Sequence, residues 1–303
     1  MTKKTKQLLL LSLGISFTVV FFQNCAPYHA IPTGAASSLA SGEGSELLPV
    51  STPVPTIEIP DGVDVGSTDR SLFFGQSRCA DSRYDFCEDF ESGILNPAWQ
   101  LVGTPVVDSA QAARGLKALH ITKTGSGSSG LRLRSIFPAA GNTFYGRMFI
   151  RFHSLPKAPL SYLHWNMVGA AGTGTNAEIR VGGQWQSQKN RLHIGSDGGP
   201  TGDWGRNDKN PGGGFREPPL DEWMCYEWLF KGDTHDTKFW WDGTEHEAMA
   251  TSLNSHGGNQ VPFELPVFNR VFVGWQSYQS SDQTYELFID EIAFHHERIG
   301  CAR

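Results

Sequence analysis

The sequence predicts an all-β chain folded as an antiparallel β-sandwich, and three observations predict it. Apolar and polar residues alternate with period two in segment after segment between Asp85 and Phe294. Turn signals separate those segments, at Gly125–Gly130, Gly182-Gly183 and Asp242-Gly243. No stretch longer than two turns shows helical periodicity. Composition agrees, since 34 Gly, 9 Trp and 19 Phe with only 18% charged residues describe a loop-rich β protein with ample aromatic core material.

The chain opens with Lys3, Lys4 and Lys6 ahead of an apolar run from Leu8 to Phe22. That run is shorter than the roughly 20 residues of a spanning helix. Residues 1–24 therefore read as a signal peptide. The stretch Phe22-Gln23-Asn24-Cys25 resembles a bacterial lipobox, which predicts export and a lipid on Cys25 that ties the chain to a membrane. The alternative is an uncleaved signal anchor with an incidental Cys25. Ala26 is not Asp, which under the enterobacterial sorting rule implies the outer membrane of the cell envelope. Residues 25–72 are rich in Gly, Ser, Thr, Pro and Ala and hold no Trp or Lys. Such a segment buries too little apolar area to fold and reads as a tether with a reach of about 35–40 Å.

Residues 73–303 are expected to form one domain. Strands are expected at 85–91, 116–122, 130–137, 143–153, 161–168, 177–182, 190–195, 222–231, 236–241, 269–278 and 284–294. In 143–153, Phe144, Met148, Ile150 and Phe152 alternate with Tyr145, Arg147, Phe149 and Arg151. In 161–168, Leu163, Trp165 and Met167 alternate with Tyr162, His164 and Asn166.

Charge and cysteine usage narrow the function. The net charge is −6, and −9 once the three lysines of residues 1–24 are removed. An acidic chain without clustered Lys and Arg excludes nucleic acid as a partner. With Cys25 assigned to lipid, Cys79, Cys87, Cys225 and Cys301 remain for two disulfides in any of three connectivities. No C-x-x-C spacing suggests zinc. His295-His296 point to opposite faces of a strand and make a poor chelate.

Parity places Arg132, Arg134, Arg147, Arg151, Arg180 and Arg191 on the polar faces of their strands, with Tyr162, His164, Asn166, Glu178 and His193. Arg is preferred where a carboxylate is held in a bidentate way, so six such residues in an acidic protein suit an anionic ligand. The competing reading is a solvated sheet face. Trp185 and Trp204 fall in Gly-rich polar loops, where each is either a sugar-stacking platform or a packed anchor.

Short stretches in a fixed order then carry a resemblance over most of residues 85–301. They are Cys87-Glu88-Asp89-Phe90-Glu91-Ser92-Gly93, Phe144-Tyr145-Gly146-Arg147 and Glu178-Ile179-Arg180-Val181-Gly182-Gly183-Gln184, followed by Trp223-Met224-Cys225-Tyr226-Glu227. Val273-Gly274-Trp275-Gln276-Ser277-Tyr278, Ile289-Asp290-Glu291-Ile292 and Arg298-Ile299-Gly300-Cys301 complete the set. Together they resemble the concanavalin-A-like jelly rolls of the polysaccharide-lyase kind, the bacterial relatives of a cellulose-induced secreted fungal protein and of glucuronan and alginate lyases.

The resemblance implies a polysaccharide partner and a set of roles. Arg132 and Arg134 look like the inner-strand arginines of the alginate-lyase group, and Tyr162-Leu163-His164 like its Gln-x-His strand, with Tyr162 where that group has Gln. Tyr278 looks like its late tyrosine. Elimination across a uronate needs its carboxylate neutralised, here by Arg132 or Arg134 with Asn166. His164 or Tyr278 then takes the C5 proton, and Tyr278 protonates the leaving oxygen. Arg147, Tyr162, Arg180, Gln184, Trp185, Arg191, Trp204 and Gln276 are expected to line the substrate. Related jelly rolls hold a structural calcium, for which Glu91 and Asp290 match, with carbonyls near Asp108–Arg114. Many such domains bind without cleaving, so a non-catalytic carbohydrate module and an envelope interaction protein stand as alternatives. Glycoside hydrolysis is disfavoured, because no Glu-x-Asp-x-x-Glu strand sets two carboxylates about 5–5.5 Å apart.

Overall fold

A computed structural model describes residues 64–303 apart from 175–176, 202–204, 211–212 and 258–259. The signal peptide, Cys25, most of the tether and Trp204 lie outside the described residues. Among the described residues no helix is long and apolar enough to cross a membrane.

Strands and short 3-10 turns make up the regular structure. The strands are β1 (Phe86–Glu88), β2 (Trp99–Val102), β3 (Val106–Asp108), β4 (Ala118–Thr124), β5 (Gly127–Leu133), β6 (Thr143–Ser154), β7 (Tyr162–Thr173) and β8 (Glu178–Gln186). Then follow β9 (Lys189–Asp197), β10 (Gly205–Asn207), β11 (Trp223–Lys231), β12 (Asp236–Trp241), β13 (Thr244–Glu245), β14 (Val267–Ser277) and β15 (Thr284–His295). Two antiparallel sheets result. Sheet one runs β13-β12-β11-β6-β15-β4-β3, with β1 beside the far end of β15; sheet two runs β10-β9-β8-β7-β14-β5-β2. Neighbours in each order are often distant in sequence, as a jelly-roll sandwich requires.

The apolar parity faces meet between the sheets. Phe144, Met148, Ile150 and Phe152 of β6 pack against Leu163 and Trp165 of β7 and Val271, Val273 and Trp275 of β14, all buried. Trp165 stacks on Trp275, and Trp275 on Tyr285, with ring centroids 5.2 and 4.6 Å apart.

Each expected strand forms, while the short strands β2, β3, β10 and β13 lacked enough alternation to be seen. Asp242-Gly243 is the two-residue hairpin turn expected, with both φ angles positive. Gly182-Gly183 is not a turn. It lies inside β8, where a Cβ on Gly183 would strike the Trp165 ring and one on Gly182 would strike the β7 backbone. These glycines serve close approach rather than chain reversal.

The outer face of sheet one is covered as well. Phe73, Ala113, Phe149, Cys225, Cys301 and Ala302 form a second small core there. Disulfides join Cys225 to Cys301 and Cys79 to Cys87, resolving the connectivity that the sequence left open.

Candidate functional site

Sheet two turns a polar face away from the core. His164 and Asn166 of β7, Arg180 and Gln184 of β8, and Arg191 and His193 of β9 project from it, because their parity is opposite to Leu163, Val181 and Leu192. Gln276 joins them from β14, since it lies opposite Asn166, which in turn lies opposite Gly182, itself opposite His193. An outward sheet face is normally wet. Here His164, Asn166, Arg180 and His193 are each 6% exposed or less, so the face is recessed.

Tyr278 closes one end of the recess. It follows the last residue of β14, and its N–H donates to the His164 carbonyl at 3.2 Å. With Asn166 Nδ2 donating to the Trp165 carbonyl at 3.0 Å, Asn166 Oδ1 accepts from Tyr278 Oη at 2.5 Å and from Arg180 Nε at 3.2 Å. The Arg180 guanidinium lies 4.4 Å from the Tyr278 ring centroid and pairs with Asp197 and Glu178. The His164 ring stands 5.8 Å from that of Tyr278 and 5.2 Å from that of His193.

The two imidazoles are the anomaly. Among the described residues, His164 Nε2 is buried without a protein partner, and the only side chain within reach of the buried His193 ring nitrogens is that of Asn207, opposite it on β10. Burial and then the Arg180 charge hold His164 down to about 4, while burial and then His164 hold His193 down to about 3. Both are neutral near pH 7. Two neutral imidazoles thus lie side by side next to Tyr278, Asn166 and Arg180.

The expected site residues do not all converge. Arg132 and Arg134 belong to the outer face of sheet two, but Arg132 lies opposite Phe272 on β14, six residues before Tyr278. At about 3.3 Å per residue that is roughly 20 Å along the strands, too far to share one sugar ring with Tyr278. Arg180, on β8, is the arginine nearest to Tyr278 among those named. Arg147 is on the opposite sheet, fully buried, paired with Glu291 and donating to the Arg303 carbonyl. Arg151 is there too, against Asp221. The six arginines therefore divide between two faces, since parity assigns a face within a strand and not a sheet. Trp185 packs into the core and donates from Nε1 to the Leu160 carbonyl at 2.7 Å. Tyr162 begins β7 opposite Gln186, and Arg191 stacks over Phe215, 3.8 Å from its centroid. Sequence reasoning missed Asp197, which shares parity with Arg191 and His193 and was legible on that ground. It also missed Gln279, whose Oε1 accepts from His164 N at 2.6 Å from beyond the strand end, where no periodicity applies.

Calcium does not fit Glu91 and Asp290 as they stand. Asp290 is fully buried, accepts from the amides of Ala113, Arg114 and Glu291, and is pushed up to about 8 by burial against those hydrogen bonds. Glu91 Oε1 accepts from the amides of Leu116 and Lys117. The nearby carbonyls of Phe73, Cys301 and Arg303 accept from the Arg114 guanidinium, which also pairs with Glu291. The side-chain oxygens of Asp290 and one of those of Glu91 are thus already taken by backbone amides, while Ca²⁺ needs six to eight oxygens.

The fold and the recess define the chain as an antiparallel jelly-roll sandwich with a polar site on one sheet. No protein-family model and no curated protein matches it. Among solved structures it is similar to a cellulose-induced protein, Cip1, at 20% identity and a TM-score of 0.54, over 72% of this chain and 100% of that one. An endo-beta-1,4-glucuronan lyase from the fungus Trichoderma reesei matches at 15% identity and a TM-score of 0.45, over 71% and 96% of the two chains. An alginate lyase, Aly36B, in complex with an alginate tetrasaccharide, matches at 12% identity and a TM-score of 0.40, over 60% and 82%. At 20% identity the first of these likenesses speaks for the fold.

Proposed function

We propose that the protein recognises a uronate-containing polysaccharide on the outer face of sheet two and cleaves it by β-elimination. In this reading it is held at the cell envelope by a lipid on Cys25. The observation that carries the proposal is the pair of buried, neutral imidazoles beside Tyr278, Asn166 and Arg180.

The chemistry follows from the placement. Arg180 offers a guanidinium to the carboxylate of the bound uronate, which acidifies C5. His164, neutral in the free protein, takes the C5 proton on Nε2. The electrons of the C5–H bond form the C4–C5 double bond, the C4–O bond breaks, and Tyr278 Oη gives its proton to the leaving oxygen. A uronate carboxylate against His164 raises that imidazole from its low value and makes it a better base. Arg132, roughly 20 Å away along the sheet, serves a distant sugar of the same chain rather than the one being cleaved.

A second reading has its own support. Arg180 is already neutralised by Asp197 and Glu178, which favours binding without cleavage. The experiment separating the two incubates the purified protein with glucuronan and with alginate and follows the ultraviolet absorbance of the unsaturated product. Product formation that drops about 10²–10⁴-fold in Tyr278→Phe supports elimination. Retarded migration through one polymer with no product establishes a binding protein. Neither signal removes the acidic polysaccharide. The lipid is tested separately, by loss of labelled fatty acid incorporation in Cys25→Ser.

A further inference from the structure

A second cluster of ligating side chains lies on the other sheet. β1 pairs with the end of β15 so that Phe86 faces Phe294, and the Asp85 amide donates to the Phe294 carbonyl at 3.0 Å. Asp85 is thereby fixed beside the strand end that carries His295 and His296. Neighbouring residues within a strand point apart, but β15 stops at His295, and His296 is free of the alternation. The two imidazoles turn to the same side, with ring centroids 4.0 Å apart. The expectation that they point to opposite faces fails for that reason.

The three side chains lie close enough to share one ion after small side-chain adjustments. Asp85 Oδ2 lies 3.6 Å from His295 Nδ1 and 3.3 Å from His296 Nδ1, and one donor atom from each of the three lies within 4.8 Å of the others. A tetrahedral ion with bonds of about 2.0–2.1 Å sets its ligands about 3.3–3.5 Å apart. His295 Nδ1 is also buried and makes no hydrogen bond among the described residues, so no group there competes for it. Of the nearby cations, Arg83 is paired with Asp81 and Arg298 with Glu227, and Glu297 adds negative charge.

We propose that Asp85, His295 and His296 form a site for a divalent transition-metal ion of the zinc class, with at least one position left to water or an outside ligand. Two imidazoles and one carboxylate suit zinc, copper or nickel and not calcium, which takes oxygen. The ion ties β1 to the end of β15 on the sheet that does not carry the polysaccharide recess.

The test titrates the purified full chain with Co²⁺ and reads the visible absorption that reports tetrahedral coordination, with Zn²⁺ as displacing ion. A saturable signal at one ion per chain is expected, weakened at least tenfold in Asp85→Asn and in His296→Gln. His296 is exposed, so its replacement leaves the fold intact, and unchanged unfolding midpoints without metal verify that. The signal should persist in a His164→Gln, His193→Gln double variant. Absence of a saturable signal, or one that survives in Asp85→Asn and His296→Gln, overturns the site.

Discussion

On the outer face of sheet one, Glu291 lies fully buried between Arg114 and Arg147, and the Arg114 guanidinium finds four acceptors from the two chain ends and the sheet. On the outer face of sheet two, His164 and His193 lie almost as deep, and their ring nitrogens meet no charged partner among the described residues, with Asn207 the one side chain in reach of His193. Both faces are polar, recessed and arginine-bearing, so composition does not separate them. Completeness does. A network whose charges are matched within the protein holds the fold, and one with ring nitrogens left over can take a further hydrogen-bonding group.

The largest expected effect breaks the satisfied face. Replacing Glu291 by Ala leaves two buried guanidinium groups facing each other, which costs about 3–5 kcal/mol. Chemical denaturation checks this, and a loss under about 1 kcal/mol would make the face ordinary surface. Opening the Cys225–Cys301 bridge by a Cys225→Ser, Cys301→Ser double change removes a cross-link over 76 residues, worth about 4 kcal/mol. Its unfolding midpoint should fall well below that of the wild type, while product formation or polymer retardation on the other sheet persists under native conditions.

The incomplete face makes a smaller prediction, carried by pH. His164 and His193 titrate below the ordinary 6.5 in the folded chain, so the unfolded chain takes up their protons first as pH falls. Their contribution is fully present above about pH 6.5 and is lost as pH drops towards their folded values, at up to about 1.4 kcal/mol per pH unit for each imidazole. In His193→Gln the corresponding slope should be visibly shallower, and an unchanged slope would place the proton uptake elsewhere. Smallest is Arg191→Ala, which removes a stack on Phe215 and about 0.5–1 kcal/mol, with polymer binding weakened less than tenfold.

Strand existence was legible because alternation is a local property of the chain. Phe144, Met148, Ile150 and Phe152 announce their face in eleven residues, and the sandwich follows from many such segments. Which sheet a strand joins is set by pairing over long separations, as when β6 lies between β11 and β15. Arg147 and Arg180 looked alike for that reason, yet they lie on different sheets, Arg147 paired with Glu291 and Arg180 with Asp197 and Glu178. His164 and Asn166 were legible by parity, and Tyr278 only through the resemblance. The imidazole pair at Asp85 was illegible, since the alternation that argued against it ends at His295.

The measurement that tests the central claim most directly is the affinity of the purified protein for glucuronan as a function of pH. A carboxylate bound against His164 raises that imidazole from about 4, so binding takes up a proton and tightens as pH falls from about 7 to about 5, by at most tenfold per unit. The account predicts that this tightening disappears in His164→Gln. Affinity independent of pH, or a dependence that survives in that variant, would contradict it and return the recess to a purely structural role.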